Sequence, residues 1–269
     1  METIIYVIIF IIGALFGSFF TLATYRIPKH QDILHTRSYC PKCDHKLGFF
    51  DMFPILSYIF LGGKCRYCKN KISPRYILLE ILSGFVFVTI FYLMKIDLTN
   101  IYELNYLKIC EFLFMTLFIS FVFITAGIDV ENRKIEKGVT IYGIIISLIY
   151  IAYLCIVEKA NIYRYAIYIA LYILLLILDT ITLRKFAKNS YIIGVLFTLI
   201  TMAIFTSEFV LINTIIITCL SIAFYILFNK IKMARKKIYK TDKQICKDLK
   251  IAFFLCTANI ISIILVLLR

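Results

Sequence analysis

Long stretches of this chain carry hydrophobic residues on every face rather than at every third or fourth position. Eight runs stand out, at 3–25, 76–94, 106–128, 138–157, 163–183, 190–206, 208–228 and 250–268. A helix that is apolar all round belongs in a membrane or a large core, and a span of the bilayer takes about 20 such residues. Only Ser207 and Glu208 separate the sixth run from the seventh, so that boundary is expected to be a short, re-entrant turn. The pattern therefore predicts an all-α polytopic membrane protein of about eight transmembrane helices. Composition agrees: 62% of residues are hydrophobic, 17% are charged, and mean hydropathy is +0.90. Soluble domains lie nearer 45–50% and about 25%, so a soluble globule is excluded, and disorder with it, since disorder requires low hydrophobicity. Ten Gly and four Pro exclude collagen-like and low-complexity chains. The first run lacks a basic leader and a small-residue cleavage site, and reads as a retained helix rather than a signal peptide.

The polar segments between the runs set orientation. Net charge is +14, and the basic residues concentrate in alternate loops: 26–75, 229–250, Arg133 with Lys134 and Lys137, and Arg184 with Lys185 and Lys188. The other connections are short and mixed. Cytosolic loops carry the excess of Lys and Arg, so these basic loops are expected in the cytosol and both termini outside. The positive charge then answers an anionic membrane surface, the bilayer is the expected partner, and nucleic acid is not.

The first basic loop carries the clearest chemistry. Cys40-Pro-Lys-Cys43 and Cys65-Arg-Tyr-Cys68 are two CxxC pairs, and four thiolates at this spacing suit tetrahedral zinc. A loop this polar cannot build a large core, so a metal would supply much of its folding free energy. Four sulfur ligands leave no open position for water, which makes the expected zinc structural. His30, His35 and His45 read as surface residues, and Cys110, Cys155, Cys219, Cys246 and Cys256 as ordinary apolar side chains. The expected organisation is an amino-terminal part, 1–95, comprising the first helix, the cytosolic zinc loop (26–75) and the second helix, followed by a helical membrane domain, 96–269. No internal repeat stands out.

Several motifs occur in order: Gly17-Ser18-Phe19, Tyr25-Arg26-Ile27-Pro28, Arg37-Ser38-Tyr39-Cys40-Pro41-Lys42-Cys43, Asp51-Met52-Phe53-Pro54-Ile55-Leu56-Ser57-Tyr58, Gly63-Lys64-Cys65-Arg66-Tyr67-Cys68, and Ile72-Ser73-Pro74-Arg75-Tyr76 with Glu80. Over residues 13–85 the chain resembles the amino-terminal part of the bacterial type IV prepilin leader peptidases. The resemblance implies a bifunctional enzyme of the plasma membrane. Such enzymes cleave the basic leader of prepilins or pseudopilins at the cytosolic face. Many also methylate the new amino terminus with S-adenosylmethionine. It implies an aspartic peptidase domain with two aspartates near cytosolic helix ends, the second in Gly-x-Gly-Asp.

Two carboxylates suit peptide hydrolysis because a close pair shares one proton, leaving one group as base and the other as acid. Asp129, in Thr125-Ala126-Gly127-Ile128-Asp129-Val130-Glu131, ends the third run and resembles the first family aspartate. Ile135 fits the pattern that follows, but Glu136 and Lys137 replace its Pro-Asp. No Gly-x-Gly-Asp exists here. One reading gives the second role to Asp179, near the cytosolic end of the fifth run. Another aligns Lys188 and Gly194 with the family and places Phe186 at the catalytic position, which would leave the site without its second proton carrier. In that case Asp179 pairs with Arg184 or Lys185. The family's Pro-Phe-Gly-Pro is reduced to Ala252-Phe253-Phe254. Glu80, close to Arg75, is expected to close the loop base as a salt bridge, with a part in methyl transfer as the alternative, and Asp51 either shapes a turn or meets substrate. The expected function is a prepilin leader peptidase with Asp129 and Asp179 as its carboxylates. The alternatives are a catalytically degenerate paralogue that binds prepilins or assists pilus or secretion assembly, and an enzyme that retains methyl transfer alone.

Overall fold

The computed structural model describes residues 2–33, 35–96, 106–157, 162–185, 190–236 and 249–268, with 2, 162, 181–185, 190 and 232–236 as backbone. Nine α-helices lie in these segments. They are α1 (Glu2–Arg26), the short α2 (Leu56–Phe60), α3 (Arg75–Leu93), α4 (Tyr106–Asn132), α5 (Lys137–Val157), α6 (Ile162–Lys185), α7 (Ser190–Phe205), α8 (Glu208–Lys236) and α9 (Ile251–Leu267). Each apolar run of the sequence corresponds to one of the eight long helices. Six of these are long and apolar enough to cross a membrane, while the helices over Tyr191–Phe205 and Ile251–Leu267 are shorter. At 1.5 Å per residue the 16 residues of α7 reach about 24 Å, below the roughly 30 Å of a hydrocarbon core. The two short helices are also rich in protein-buried side chains, among them Met202, Thr198, Ala258 and Asn259. The long helices instead leave Val7, Leu78, Leu220 and Phe224 exposed, as lipid-facing positions should be.

Two compact units divide the chain, Met1–Thr116 and Leu117–Arg269. In the first, α1 and α3 pack through glycines. A Cβ on Gly13 would lie 2.9 Å from the Cα of Gly84, one on Gly17 2.8 Å from the Cα of Glu80, and one on Gly84 2.7 Å from the Phe10 ring. Gly13-x-x-x-Gly17 is thus a small-residue seam that lets two backbones approach where the hydrophobic effect gives no help. In the second unit α5, α6 and α7 share a buried hydroxyl chain. Ser147 Oγ lies 3.2 Å from Tyr172 Oη, which lies 2.8 Å from Thr201 Oγ1. Gly143 brings α5 against Phe121 of α4, and Phe205 stacks between Phe118 and Tyr150 at 4.8 and 4.5 Å.

Replacing Gly17 by Val is expected to force α1 off α3 and cost about 1–3 kcal/mol. Thermal unfolding in detergent should show the drop. Gly138→Ala, where nothing lies within 4 Å of the new methyl, should leave the midpoint unchanged or raise it slightly.

Candidate functional site

The four cysteines of the first unit come together: the Sγ atoms of Cys40, Cys43, Cys65 and Cys68 all lie within 4.8 Å of one another, with Cys40 and Cys68 at 3.9 Å. Zn–S bonds of about 2.3 Å place tetrahedral sulfurs about 3.8 Å apart, so the donor set fits one zinc ion. Two matching turns build it. Cys40 N donates to His45 O (3.0 Å) and Asp44 N to Cys40 O (2.8 Å), while Cys65 N donates to Asn70 O (2.9 Å) and Lys69 N to Cys65 O (3.0 Å). Asp44 and Lys69 both take the left-handed conformation, and bridges Tyr39–Lys46 and Lys64–Lys71 close the two turns. Tyr39–Lys46 and Lys64–Lys71 are therefore a structural repeat. The sequence hid it because only the cysteines and the last lysine coincide. His45 stacks on Tyr67 with centroids 3.6 Å apart, joining the turns, and no histidine belongs to the cluster among the described residues.

The thiols need a cation. The Asn70 N–H holds the Cys68 thiol down to about 7. The His45 N–H favours a Cys43 thiolate, but desolvation and the neighbouring thiols push it up to about 11. Four sulfurs this close cannot all ionise unless positive charge sits between them. Asp51 ties the second turn down, accepting from Arg66 Nε (2.6 Å), Tyr67 Oη (3.2 Å) and Gly48 N (3.0 Å). Burial raises its pKa, but the Gly48 N–H, Arg66 and Tyr67 outweigh it and hold the carboxyl below the ordinary range. Its contacts are those of a turn-shaping residue.

Beneath this loop two further polar groups are buried. Arg26, at the end of α1 and 2% exposed, donates to the carbonyls of Asp32 (2.9 Å), Thr36 (2.8 Å) and Arg37 (3.2 Å). Glu80 does not form the expected ion pair with Arg75. It accepts from Ile55 N at 2.7 Å, and Ser18 lines the same cavity as Glu80. Ile55 sits at φ 64°, ψ −54°, with Leu56 N donating back to Pro54 O. That is the strained form of γ-turn, and it is rare for a β-branched residue. A cavity of about 510 Å³ lies among α1, α3 and the loop, lined by Glu80, Ser18, Tyr25, Tyr58 and Tyr76 among others.

In the second unit Asp129 is wholly buried, one turn from the end of α4. Its Oδ1 accepts from Tyr191 Oη (2.9 Å) and its Oδ2 from Phe253 N (2.8 Å). The same Tyr191 hydroxyl accepts from Ile251 N (2.8 Å) and Ala252 N (3.3 Å). The first three N–H groups of α9, which no helical carbonyl can reach, are thus capped by side chains from α4 and α7. Arg133 Nε donates to Leu249 O at 3.0 Å, and Lys250 Nζ to Val130 O. Asp179 lies half-buried on α6, six residues before its end, and is not among the groups bonded to Asp129. Phe186 and Lys188 lie outside the described residues, as do the side chains of Arg184 and Lys185. Tyr191 had no sequence signal, being one of 19 tyrosines. Arg26 had one, a cation abutting an apolar run.

Metal analysis of the purified protein is expected to show one ion per chain, lost in the Cys40→Ser, Cys65→Ser double variant. Because the ligand is the thiolate, acidification should release the ion progressively as protons compete. Tyr191→Phe removes the acceptor for two α9 amides and a donor to Asp129. It should cost about 1–3 kcal/mol, with hydrogen exchange accelerated at residues 251–253.

Residues 11–94 match the bacterial peptidase A24 N-terminal domain. A prepilin leader peptidase/N-methyltransferase of Vibrio cholerae serotype O1 is 37% identical over 105 residues, covering 36% of this chain and 41% of that protein. The protein of the same name from Klebsiella pneumoniae is 30% identical over 139 residues (49% of this chain, 56% of the relative), and that of Bacillus subtilis 33% over 135 residues (50% of each). The matches thus span about half, or less, of these relatives' lengths. No solved structure matches the chain. These likenesses show that the chain carries a bacterial peptidase A24 N-terminal domain over residues 11–94 and that it is similar to prepilin leader peptidase/N-methyltransferases over about half of its length or less.

Proposed function

We propose that the protein processes type IV prepilins or pseudopilins at the cytosolic face of the plasma membrane, as a leader peptidase that also methylates the new amino terminus. The observation that carries this reading is the double cysteine turn within residues 11–94, the span that matches the peptidase A24 N-terminal domain, in a chain similar to proteins named for both activities. Cys40, Cys43, Cys65 and Cys68 hold a structural zinc that fixes the loop, and the basic loops face the cytosol. S-adenosylmethionine supplies the methyl group. The 510 Å³ cavity of the first unit is within the size range of small-molecule sites. In the peptidase step Asp129 and Asp179 are the carboxylate pair, one taking a proton from water and the other donating to the scissile carbonyl.

A second reading, a prepilin-binding paralogue without hydrolysis, is favoured by one observation. Both Asp129 oxygens are engaged by Tyr191 and the α9 terminus, and the residue has no exposed surface. Hydrolysis requires water and a scissile bond to reach this buried carboxylate.

Cleavage of a cognate prepilin in membranes tests the two readings. The peptidase reading expects activity in the wild type and losses of at least about 100-fold in both Asp129→Asn and Asp179→Asn. Loss in the first variant alone would remove Asp179 from the pair. A wild type that leaves the leader intact would overturn the peptidase reading.

A further inference from the structure

One stretch of the cysteine loop, residues 48–63, is more apolar than a loop in water. Its one charged residue, Asp51, is turned inward to Arg66 and Tyr67. The Phe49 ring packs on those of Phe50 and Phe53, with centroids 5.8 and 6.0 Å apart. Leu56, Ile59 and Phe60 follow on one side of α2, as positions three and four apart do in a helix. All six are exposed, Phe50 by 77% and Phe60 by 82%. On the opposite side Ser57, Tyr58 and Leu61 line the cavity. A contiguous exposed edge of large apolar side chains marks a docking surface.

Depth decides what meets this edge. Ile55 N, at the start of α2, donates to Glu80 at 2.7 Å, and Glu80 lies five residues past the start of α3, a rise of about 7.5 Å. The facing residue of α1 is Gly17, where a Cβ would lie 2.8 Å from the Glu80 Cα. Gly17 precedes Arg26, the last residue of α1, by about 13.5 Å of rise. Both helices are long and apolar enough to cross a membrane. The start of α2 is therefore held level with the loop-side turns of two spanning helices, where headgroups meet acyl chains. Its backbone suits that place. The N–H groups of residues 51, 52, 56, 57, 59 and 61–63 all donate to carbonyls within the stretch, as a segment touching lipid requires. Exposed Lys42, Lys46, Lys64, Lys69 and Lys71 flank it in sequence, and such charges suit anionic headgroups.

We infer that residues 48–63 are an interfacial segment lying in the headgroup–acyl boundary of the bilayer on the loop's own side, with the edge of Phe49, Phe50, Phe53, Leu56, Ile59 and Phe60 in contact with lipid. The segment then ties the cysteine turns to the membrane surface, because its Asp51 holds the second turn through Arg66 and Tyr67. This depends on α1 and α3 spanning the membrane and not on the reaction the protein performs.

The chain has no tryptophan, so Phe60→Trp places the one indole of the molecule on this edge, and Phe50→Trp is a second, independent reporter. The full chain is set in nanodiscs of phosphatidylcholine and phosphatidylglycerol, with or without bromine on the acyl chains. Leu82→Trp, at an exposed position on α3, supplies the signal of an indole in lipid. An unchanged thermal midpoint shows that a variant is folded, and if one reporter unfolds the chain the other carries the test. The apolar face of an interfacial helix sits about 5–10 Å into the boundary, so brominated lipid should quench both reporters at least about twofold. Bromine high on the chain should quench more than bromine near its end, and iodide in the water should quench little. Quenching by iodide without quenching by brominated lipid would put the edge in water and overturn the inference. Silence to both quenchers would mean that protein covers the edge, a second copy or a bound peptide, and would overturn it equally.

Discussion

A polar group inside an apolar bundle must find its partner within the protein, because hydrocarbon offers none. That requirement organises both units. Arg26 is charged and buried, so the loop after α1 wraps back to present three carbonyls to it. Asp129 is buried, so the start of α9 is brought to it, with the Tyr191 hydroxyl completing the cap. Ser147, Tyr172 and Thr201 satisfy one another across three helices. Thr24, Thr125, Thr201 and Thr214 turn their hydroxyls back to the carbonyl four residues earlier. Glu80 meets the same requirement through the Ile55 amide.

The helices were legible in the sequence because a bilayer demands one simple property, unbroken apolarity over a fixed length. The length rule also explains the departure: α7 and α9 are apolar but short, and many of their side chains pack against protein. The cysteine cluster was legible because metal geometry fixes ligand spacing. The equivalence of its two turns was not, since Asp44 and Lys69 share a backbone conformation and no side-chain chemistry. Long-range polar partners were the least visible. Nothing in the local sequence of Asp129 names Tyr191, which is 62 residues away, and proximity in sequence suggested Arg75 for Glu80 when the partner is the Ile55 amide.

The family model matches only within the first of the two units. The first keeps the ordered motifs and assembles them into a metal-ligand set above a cavity with a buried carboxylate. The second keeps an aspartate at the end of α4 but uses its oxygens to fix a neighbouring helix, and a phenol stands beside it. An aspartate buried in this way can take part in hydrolysis only if water reaches it.

The most direct test of the account follows a cognate pilin in cells where this chain is the only enzyme of its kind. Mass spectrometry of the extracted pilin reads leader removal and amino-terminal methylation in one spectrum. A role in prepilin processing predicts pilin lacking its leader and carrying one added methyl group, and unprocessed prepilin when the gene is deleted. The same unprocessed prepilin with the chain present and with it absent would contradict it.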